Sequence, residues 1–143
     1  MKKLFYILLF VFSGFFLFAQ NANALVGTYV NPNGKSHSEF FKSGDTYSAK
    51  IVWLSEPNDE NGNPRKDVNN PDKSLRGRPV MGLVTITGLK FDGKDTYTDG
   101  KAYRVAEGDE VKMKIKVNGD GTISVTGSKS IFSKTQIWKK KIQ

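Results

Sequence analysis

The sequence contains no cysteine and only one histidine, His37. The lack of cysteine excludes disulfides, a lipid-modified cysteine and thiolate ligands for a metal. A single histidine excludes a nitrogen-rich zinc site, and no serine lies in a Gly-x-Ser-x-Gly turn that could use it in a catalytic triad. We therefore predict no metal, no cofactor and no catalytic residues.

Helical patterns are also missing. After residue 24, no stretch repeats apolar residues at helical spacing between a cap and a stop. No glycine-rich phosphate loop precedes a helix. The acidic residues fall in turns and on the polar faces of strands, where burial would not raise the pKa of a general acid. These absences favour a protein that is not an enzyme.

Residues 1–24 are typical of a signal peptide. Met1-Lys2-Lys3 is positively charged, residues 4–19 are almost wholly apolar, and Ala22-Asn23-Ala24 offers small residues to signal peptidase. The apolar run is shorter than the ~20 residues of a membrane-spanning helix, so we predict cleavage after Ala24 rather than an uncleaved anchor. We expect a soluble periplasmic or extracellular protein without a transmembrane segment, with residues 25–143 as one domain.

Basic residues outnumber acidic ones by 22 to 14. Without Lys2 and Lys3, 20 basic residues still face 14 acidic residues. Outside the inner membrane, an anionic envelope component is the expected counter-charge, and we predict no nucleic-acid partner. The run Lys139-Lys140-Lys141 is typical of a solvated tail.

Most of the chain after the signal peptide alternates apolar and polar residues. Residues 110–117 do so without a break, and Asn118-Gly119-Asp120-Gly121 then reverses the chain. Further strands are predicted within residues 25–30, 40–42, 47–53, 84–87, 103–105, 123–126 and 131–139. About eight antiparallel strands joined mostly by tight turns predict an all-β, up-and-down β-barrel, because closure removes exposed sheet edges. A two-layer β-sandwich is the alternative.

Residues 56–79 interrupt this pattern with a long loop. Loops beyond ~12–15 residues are usually functional or disordered. Four of the five prolines lie in this one, together with five asparagines that can form local turns. We therefore predict an ordered loop that folds onto the barrel. Asp67 and Asp72 are spaced to pair with Arg76 and Arg78.

Two interpretations of the loop remain open. In the first, these pairs only close one barrel end. In the second, an arginine binds a carboxylate or phosphate at the barrel mouth beside an apolar wall. The predicted ligand-binding residues are then Trp53, Asn69, Asn70, Arg76 and Arg78. The calcium-loop pattern fails, because aligning Gly62 with its glycine would make Pro57 the first ligand.

The segment from Lys50 to Leu83 resembles the signature of a bacterial exported family, the domain of unknown function 2147 family. The matching motifs, spread over about residues 26–140, are Gly27-Thr28-Tyr29, where Trp is usual at the third position, Ile51-Val52-Trp53-Leu54, Asp67–Gly82 and Thr135-Gln136-Ile137-Trp138. The resemblance implies a lipocalin-like barrel, and the role of the family is not established. The stretch "AYRVAEGDEV" departs from the family pattern Y-D-P-x-x-G-x-x-Y, so a site lined by that segment in relatives would be altered here.

Three hypotheses about function follow. The first is a non-enzymatic barrel that binds a small amphiphilic or apolar ligand in the cell envelope. The second is a filled barrel that contacts an envelope protein or polymer through its surface and long loop. The third is a hydrolase that uses carboxylates. A cavity of a few hundred Å³ would favour the first, dense interior packing the second, and two carboxylates converging on a groove the third.

Overall fold

A computed structural model describes residues 21–142. The eight strands are β1 (Gly27–Val30), β2 (Ser36–Ser43), β3 (Thr46–Leu54), β4 (Val84–Phe91), β5 (Thr96–Arg104), β6 (Asp109–Val117), β7 (Thr122–Lys129) and β8 (Phe132–Lys140). Each strand pairs antiparallel with the next, and β8 pairs with β1, which closes the sheet into a barrel. The predicted all-β, up-and-down barrel is confirmed, and the sandwich alternative is wrong.

The described residues also form two 3₁₀ helices, Ala22–Leu25 and Lys73–Leu75. Within residues 21–142, no helix has the length and apolar character needed to span a membrane.

The up-and-down order of the strands gives the barrel two different ends. The connections β1–β2, β3–β4, β5–β6 and β7–β8 lie at one end, which we call the mouth. The other end, which we call the closed end, holds the remaining turns and the 3₁₀ helix Ala22–Leu25.

Aromatic side chains fill the interior toward the closed end. Tyr29, Phe40, Tyr47 and Tyr97 are each at most 2% exposed. Their rings meet edge to face, with centroids 5.5 Å apart for Tyr29 and Phe40 and 5.2 Å apart for Tyr47 and Tyr97. Such pairs add about 0.5–1.5 kcal/mol each to the gain from burial. This half of the barrel is therefore a packed aromatic core.

The 3₁₀ helix Ala22–Leu25 covers this aromatic core, and its last residue is fully buried. The Tyr97 hydroxyl donates a hydrogen bond to the carbonyl oxygen of Ala22 at 2.5 Å, and the Tyr47 hydroxyl donates to Asn23 Oδ1 at 2.9 Å. Burial raises the pKa of Tyr97 to about 12, so this donor keeps its proton. The end of the predicted signal segment thus contacts the barrel, while residues 1–20 lie outside the described residues.

We expect a chain that begins at Asn21 to be more stable than one that begins at Leu25. The shorter chain loses the acceptors of three tyrosine hydroxyls, those of Tyr97, Tyr47 and Tyr29, which should lower the free energy of unfolding by about 1–3 kcal/mol. Urea unfolding of the two chains, followed by far-UV circular dichroism, measures the difference. A double variant, Tyr47→Phe with Tyr97→Phe, is the control, because it should remove most of the difference. Equal stability of the two chains would contradict the proposed role of these contacts.

Candidate functional site

The long loop of residues 55–83 connects β3 to β4 at the mouth and is held by its own hydrogen bonds. Short antiparallel bridges join Asn58 to Pro64 and Lys66 to Pro79. The 3₁₀ helix Lys73–Leu75 forms a further turn. These local pairings satisfy backbone groups that would otherwise need water, which gives the loop a defined shape over the barrel.

Asp67 is the centre of this loop and is fully buried. It accepts hydrogen bonds from the Tyr103 hydroxyl at 2.5 Å, from Asn70 Nδ2 at 2.8 Å and from Arg78 Nε at 2.9 Å. Burial by itself would raise the pKa of Asp67, but these three donors and the charge of Arg78 outweigh it and lower the pKa below its usual range. The carboxylate therefore ties the loop to β5 in its charged form.

The four residues that the sequence suggested for ion pairing divide into two groups. Arg78 pairs with Asp67, and its guanidinium also lies 5.5 Å from the centroid of the Tyr103 ring. Asp72 instead caps the 3₁₀ helix Lys73–Leu75, because the free N–H groups of that turn need an acceptor. Arg76 donates through Nε to the backbone oxygen of Asn70 at 2.7 Å. Asp72 and Arg76 thus stabilise the conformation of the loop.

The loop also docks on the β5–β6 turn. Asn69 Nδ2 donates a hydrogen bond to the carbonyl oxygen of Ala106 at 2.9 Å. Gly108 has a φ of 67°, and a Cβ atom there would overlap the carbonyl oxygen of Asn69. Only glycine fits at this position, because any side chain would push the loop away from the barrel.

Trp53 lies on the outside of the barrel mouth. Its ring stacks on His37 with centroids 4.4 Å apart, and the residue is 41% exposed. His37 is half-buried on β2, and burial followed by the charge of Lys141 lowers its pKa. The Trp53 ring of the Ile51-Val52-Trp53-Leu54 motif is therefore packed against β2 and faces away from the interior.

The interior at the mouth contains a cavity with two adjoining lobes. The loop lobe, with a volume of about 990 Å³, lies between the long loop and the barrel wall. The hairpin lobe, with a volume of about 570 Å³, follows β5 to β8. Both volumes are in the range of small-molecule sites, roughly 300–1,000 Å³. The residues that line both lobes are Asn31, Thr85, Tyr103, Glu107 and Trp138.

The sequence-predicted ligand residues lie mostly outside these two lobes. Asn69 lines the loop lobe, whereas Trp53, Asn70, Arg76 and Arg78 line neither lobe. The arginines and Asn70 are occupied by contacts within the loop, which keeps them away from the cavity.

The hairpin lobe combines an apolar floor with a charged rim. Its floor is formed by Ile86, Ala102, Val111, Met113 and Val125. At the rim, the Asp109 carboxylate accepts from Arg104 Nε at 2.7 Å and Nη2 at 2.6 Å, and from Lys129 Nζ at 2.6 Å. The hydrogen bonds from Arg104 and Lys129 hold the pKa of Asp109 far below its usual range.

Lys134 also lines the hairpin lobe, from β8. Among the described residues, no carboxylate oxygen lies within 4.0 Å of its ammonium group. The sequence signal for this residue was the phase of β8, since Lys134 is two and four residues from Gln136 and Trp138 and shares their face. This signal is hard to recognise in the sequence, because the neighbouring strands also alternate lysines with apolar residues and most of those lysines face solvent.

Trp138 marks the junction of the two lobes and packs on Phe40, with centroids 6.3 Å apart. Its Nε1 atom is buried and has no hydrogen-bond partner in the part of the chain that the structure describes. Buried donors without a partner are uncommon in proteins. The wall of the cavity therefore contains a polar group that the barrel leaves unsatisfied.

The arrangement is suited to holding a molecule with an apolar part and a polar end. The floor of the hairpin lobe can bury hydrocarbon, and the rim offers charged donors. From Asn21 to Ile142, no three His, Asp or Glu side chains are grouped so that they could hold a metal ion.

We expect Asp67→Asn to lower the free energy of unfolding by about 2–4 kcal/mol at pH 7, because Arg78 loses its charged partner. The folded-state pKa of Asp67 lies below the unfolded value, so its contribution is present above about pH 4 and is lost as the pH falls further. Urea unfolding of the wild type and the variant at pH 7, 4 and 3 should show the difference shrinking. Asp45→Asn, in an exposed turn, is the matched control. A difference that does not change with pH would contradict the role of the charged form.

Comparison with known proteins places the chain in a family. Residues 27–140 match the family described as "Uncharacterized protein conserved in bacteria (DUF2147)". No curated protein matches the chain. One similar solved structure is described as "Protein HP1028 from the human pathogen Helicobacter pylori belongs to the lipocalin family"; it is 28% identical, the match covers 82% of this chain and 83% of that chain, and the TM-score is 0.72. The resemblance seen in the sequence is confirmed: the chain belongs to this uncharacterised bacterial family and folds as a lipocalin-like barrel.

Proposed function

We propose that this protein is an exported, non-enzymatic barrel that binds a small amphiphilic ligand in its mouth cavity. The observation that carries the proposal is the contrast between the two ends of one barrel. Aromatic rings fill the closed end, while the mouth leaves an open cavity above an apolar floor. Eight-stranded barrels of this size hold one small ligand in lipocalins, and the similar structure from Helicobacter pylori is described as a lipocalin.

The long loop serves this function as a wall. Asp67 and Asn69 fix it to β5 and to the β5–β6 turn, and its residues line one side of the loop lobe. A rigid wall reduces the ordering cost of binding, because the site is formed before the ligand arrives. We therefore assign Arg78 to the stability of the loop and the interior of the mouth to ligand binding.

Export to the periplasm or the extracellular space is part of the proposal. Its support is the pattern of residues 1–24 and the absence of cysteine. Ala22 and Asn23 contact the closed end of the barrel. A mature chain that keeps these residues is therefore a second possibility beside one that begins at Leu25. Measurement of the intact mass of the protein from the envelope and the medium would identify the cleavage site.

A second candidate function is contact with another envelope component. It is favoured by the tip of the β7–β8 hairpin, where Ile131 is 89% exposed and Phe132 is 74% exposed. Two results together would favour this candidate over ligand binding. No amphiphile would enter the cavity, and the variant with both residues changed to serine would no longer be retained in an envelope fraction. We do not propose a hydrolase, because Asp109 at the rim is committed to Arg104 and Lys129.

Trp138 provides a direct test of ligand entry, because the only other tryptophan, Trp53, lies outside both lobes. In a Trp53→Phe background, we expect 1-decanol to shift the emission of Trp138. Gly127 lines the hairpin lobe, and a Cβ atom there would meet Val111 at an ordinary contact distance of 3.6 Å. Gly127→Leu should therefore fold but fill the lobe and weaken decanol binding by about tenfold or more, as measured by titration calorimetry.

The control for this experiment is Thr126→Leu. Thr126 adjoins Gly127 but faces the outside of the barrel, where it pairs with Thr135. We expect it to leave decanol binding unchanged. Absence of any emission shift or heat with decanol would contradict the proposal, and so would equal weakening by the two leucine variants.

A further inference from the structure

We infer that the ligand carries an anionic head group, a carboxylate or a phosphate, and that Lys134 binds this group at the rim of the hairpin lobe. The inference rests on the proposed function and adds the chemical class of the ligand. It also moves the anion site away from the arginines of the long loop, which are bound to groups of the loop itself.

The position of Lys134 is the first observation. It pairs in register with Gly127 across the β7–β8 hairpin, and both residues line the hairpin lobe. Because Gly127 has no side chain, the lobe stays open beside the lysine. Within residues 21–142, the ammonium group has no carboxylate partner within 4.0 Å. Lys134 is solvent-exposed at the rim, so it offers a cation beside the apolar floor, at the place where the head group of a bound anion would stay in contact with water.

The charge balance of the two lobes is the second observation. The hairpin lobe is lined by three cations, Arg104, Lys129 and Lys134, and by one acid, Glu107. Asp109 neutralises one further charge, which leaves an excess of one positive charge at the rim. This excess favours an anion over a cation at the same place.

The loop lobe shows no such excess. It is lined by three cations and three acids, namely Lys35, Arg65, Lys66, Glu56, Asp59 and Glu107. Arg65 is also bound to Glu56 through Nη2 at 3.3 Å. The loop lobe therefore offers polar groups without a preferred sign of charge, and only the hairpin lobe combines a net positive rim with an apolar floor.

The geometry orients the ligand. Met113 and Lys134 both pair in register with Gly127, and Val125 pairs with Gln136 one inward position closer to the closed end, so Met113 lies at the level of Lys134 and Val125 lies below it. A single hydrocarbon chain can extend over this floor while its head group stays at the solvent-open rim. A carboxylate and a phosphate both satisfy this description, and their relative affinities must be measured.

The test uses four ten-carbon probes that differ only in the head group: decanoate, decyl phosphate, 1-decanol and decyltrimethylammonium. Binding is measured by Trp138 emission and calorimetry on the folded protein in the Trp53→Phe background at pH 7.5. We expect one or both anions to bind roughly three- to tenfold more tightly than decanol, as partly exposed charge-assisted contacts do. The ammonium probe should bind most weakly.

Three variants separate a specific contact from general attraction. Lys134→Met should abolish the preference for anions, so that decanoate and decyl phosphate bind this variant no more tightly than decanol does. Glu107→Gln should tighten anion binding, because it removes the acid from the same wall. Lys139→Met is the matched control: it lies on the same strand, pairs with Thr122 and does not line the hairpin lobe. It should change none of the affinities.

The outcomes distinguish this inference from the proposed function. If none of the four probes binds, the proposed function fails. If decanol binds and the anions bind no more tightly, only the anion preference fails. The assignment to Lys134 fails if Lys134→Met changes all probes equally, or if Lys139→Met weakens anion binding by the same factor. Comparison of decanoate with decyl phosphate then identifies the preferred anion.

Discussion

The pairing of β8 with β1 is the interaction on which the cavity depends. It joins only two register pairs, Tyr29 with Lys140 and Val30 with Lys139. Beyond the strand ends, the Lys141 amide adds a hydrogen bond to the carbonyl oxygen of Thr28 at 2.8 Å. This short seam removes the last free edge of the sheet and fixes the diameter of the interior. Without this seam, neither the aromatic core nor the cavity at the mouth would have a defined shape.

Stability and binding are assigned to different parts of this barrel. The aromatic core stabilises the closed end, and the hydrogen bonds of Asp67 stabilise the long loop. A buried carboxylate is a weak source of stability compared with an apolar core, but it holds its partners in one geometry. The floor of the hairpin lobe shares this core, because Ile86, Ala102 and Val125 are buried in it, whereas Lys129 and Lys134 at the rim are exposed and lie outside the core.

The sequence predicted the barrel well where strands are regular. β6 alternates without interruption, and its inward residue Ile115 is fully buried as expected. Most of β5, residues 96–102, was missed, because this part contains Asp99-Gly100. Asp99 has a φ of 62°, the register shifts between Tyr97 and Gly100, and a Cβ atom at Gly100 would lie 2.5 Å from Leu89 Cδ2. Turn-type residues inside this strand therefore mark an irregularity in the pairing, and the packing of Leu89 against Gly100 depends on residues distant in the sequence.

The site was harder to predict than the fold, for a physical reason that also explains its chemistry. All four arginines, Arg65, Arg76, Arg78 and Arg104, donate hydrogen bonds within the protein. The planar guanidinium has several donors in a fixed arrangement, which suits it to holding a loop or an ion cluster in place. The same donors made Arg76 and Arg78 candidate ligand residues in the sequence, although both are engaged within the loop.

A lysine is better suited to the remaining role. Its ammonium group is a compact charge on a flexible stem and can follow the head group of a bound molecule without a fixed geometry. Lys134 differs from the outward lysines of the neighbouring strands in the face of the sheet to which its position belongs. That face is set by its pairing in register with Gly127. A shift of one residue in β8 would turn Lys134 and Trp138 to the solvent together. The charge at the rim and the unsatisfied indole in the wall are therefore consequences of the same register that closes the barrel.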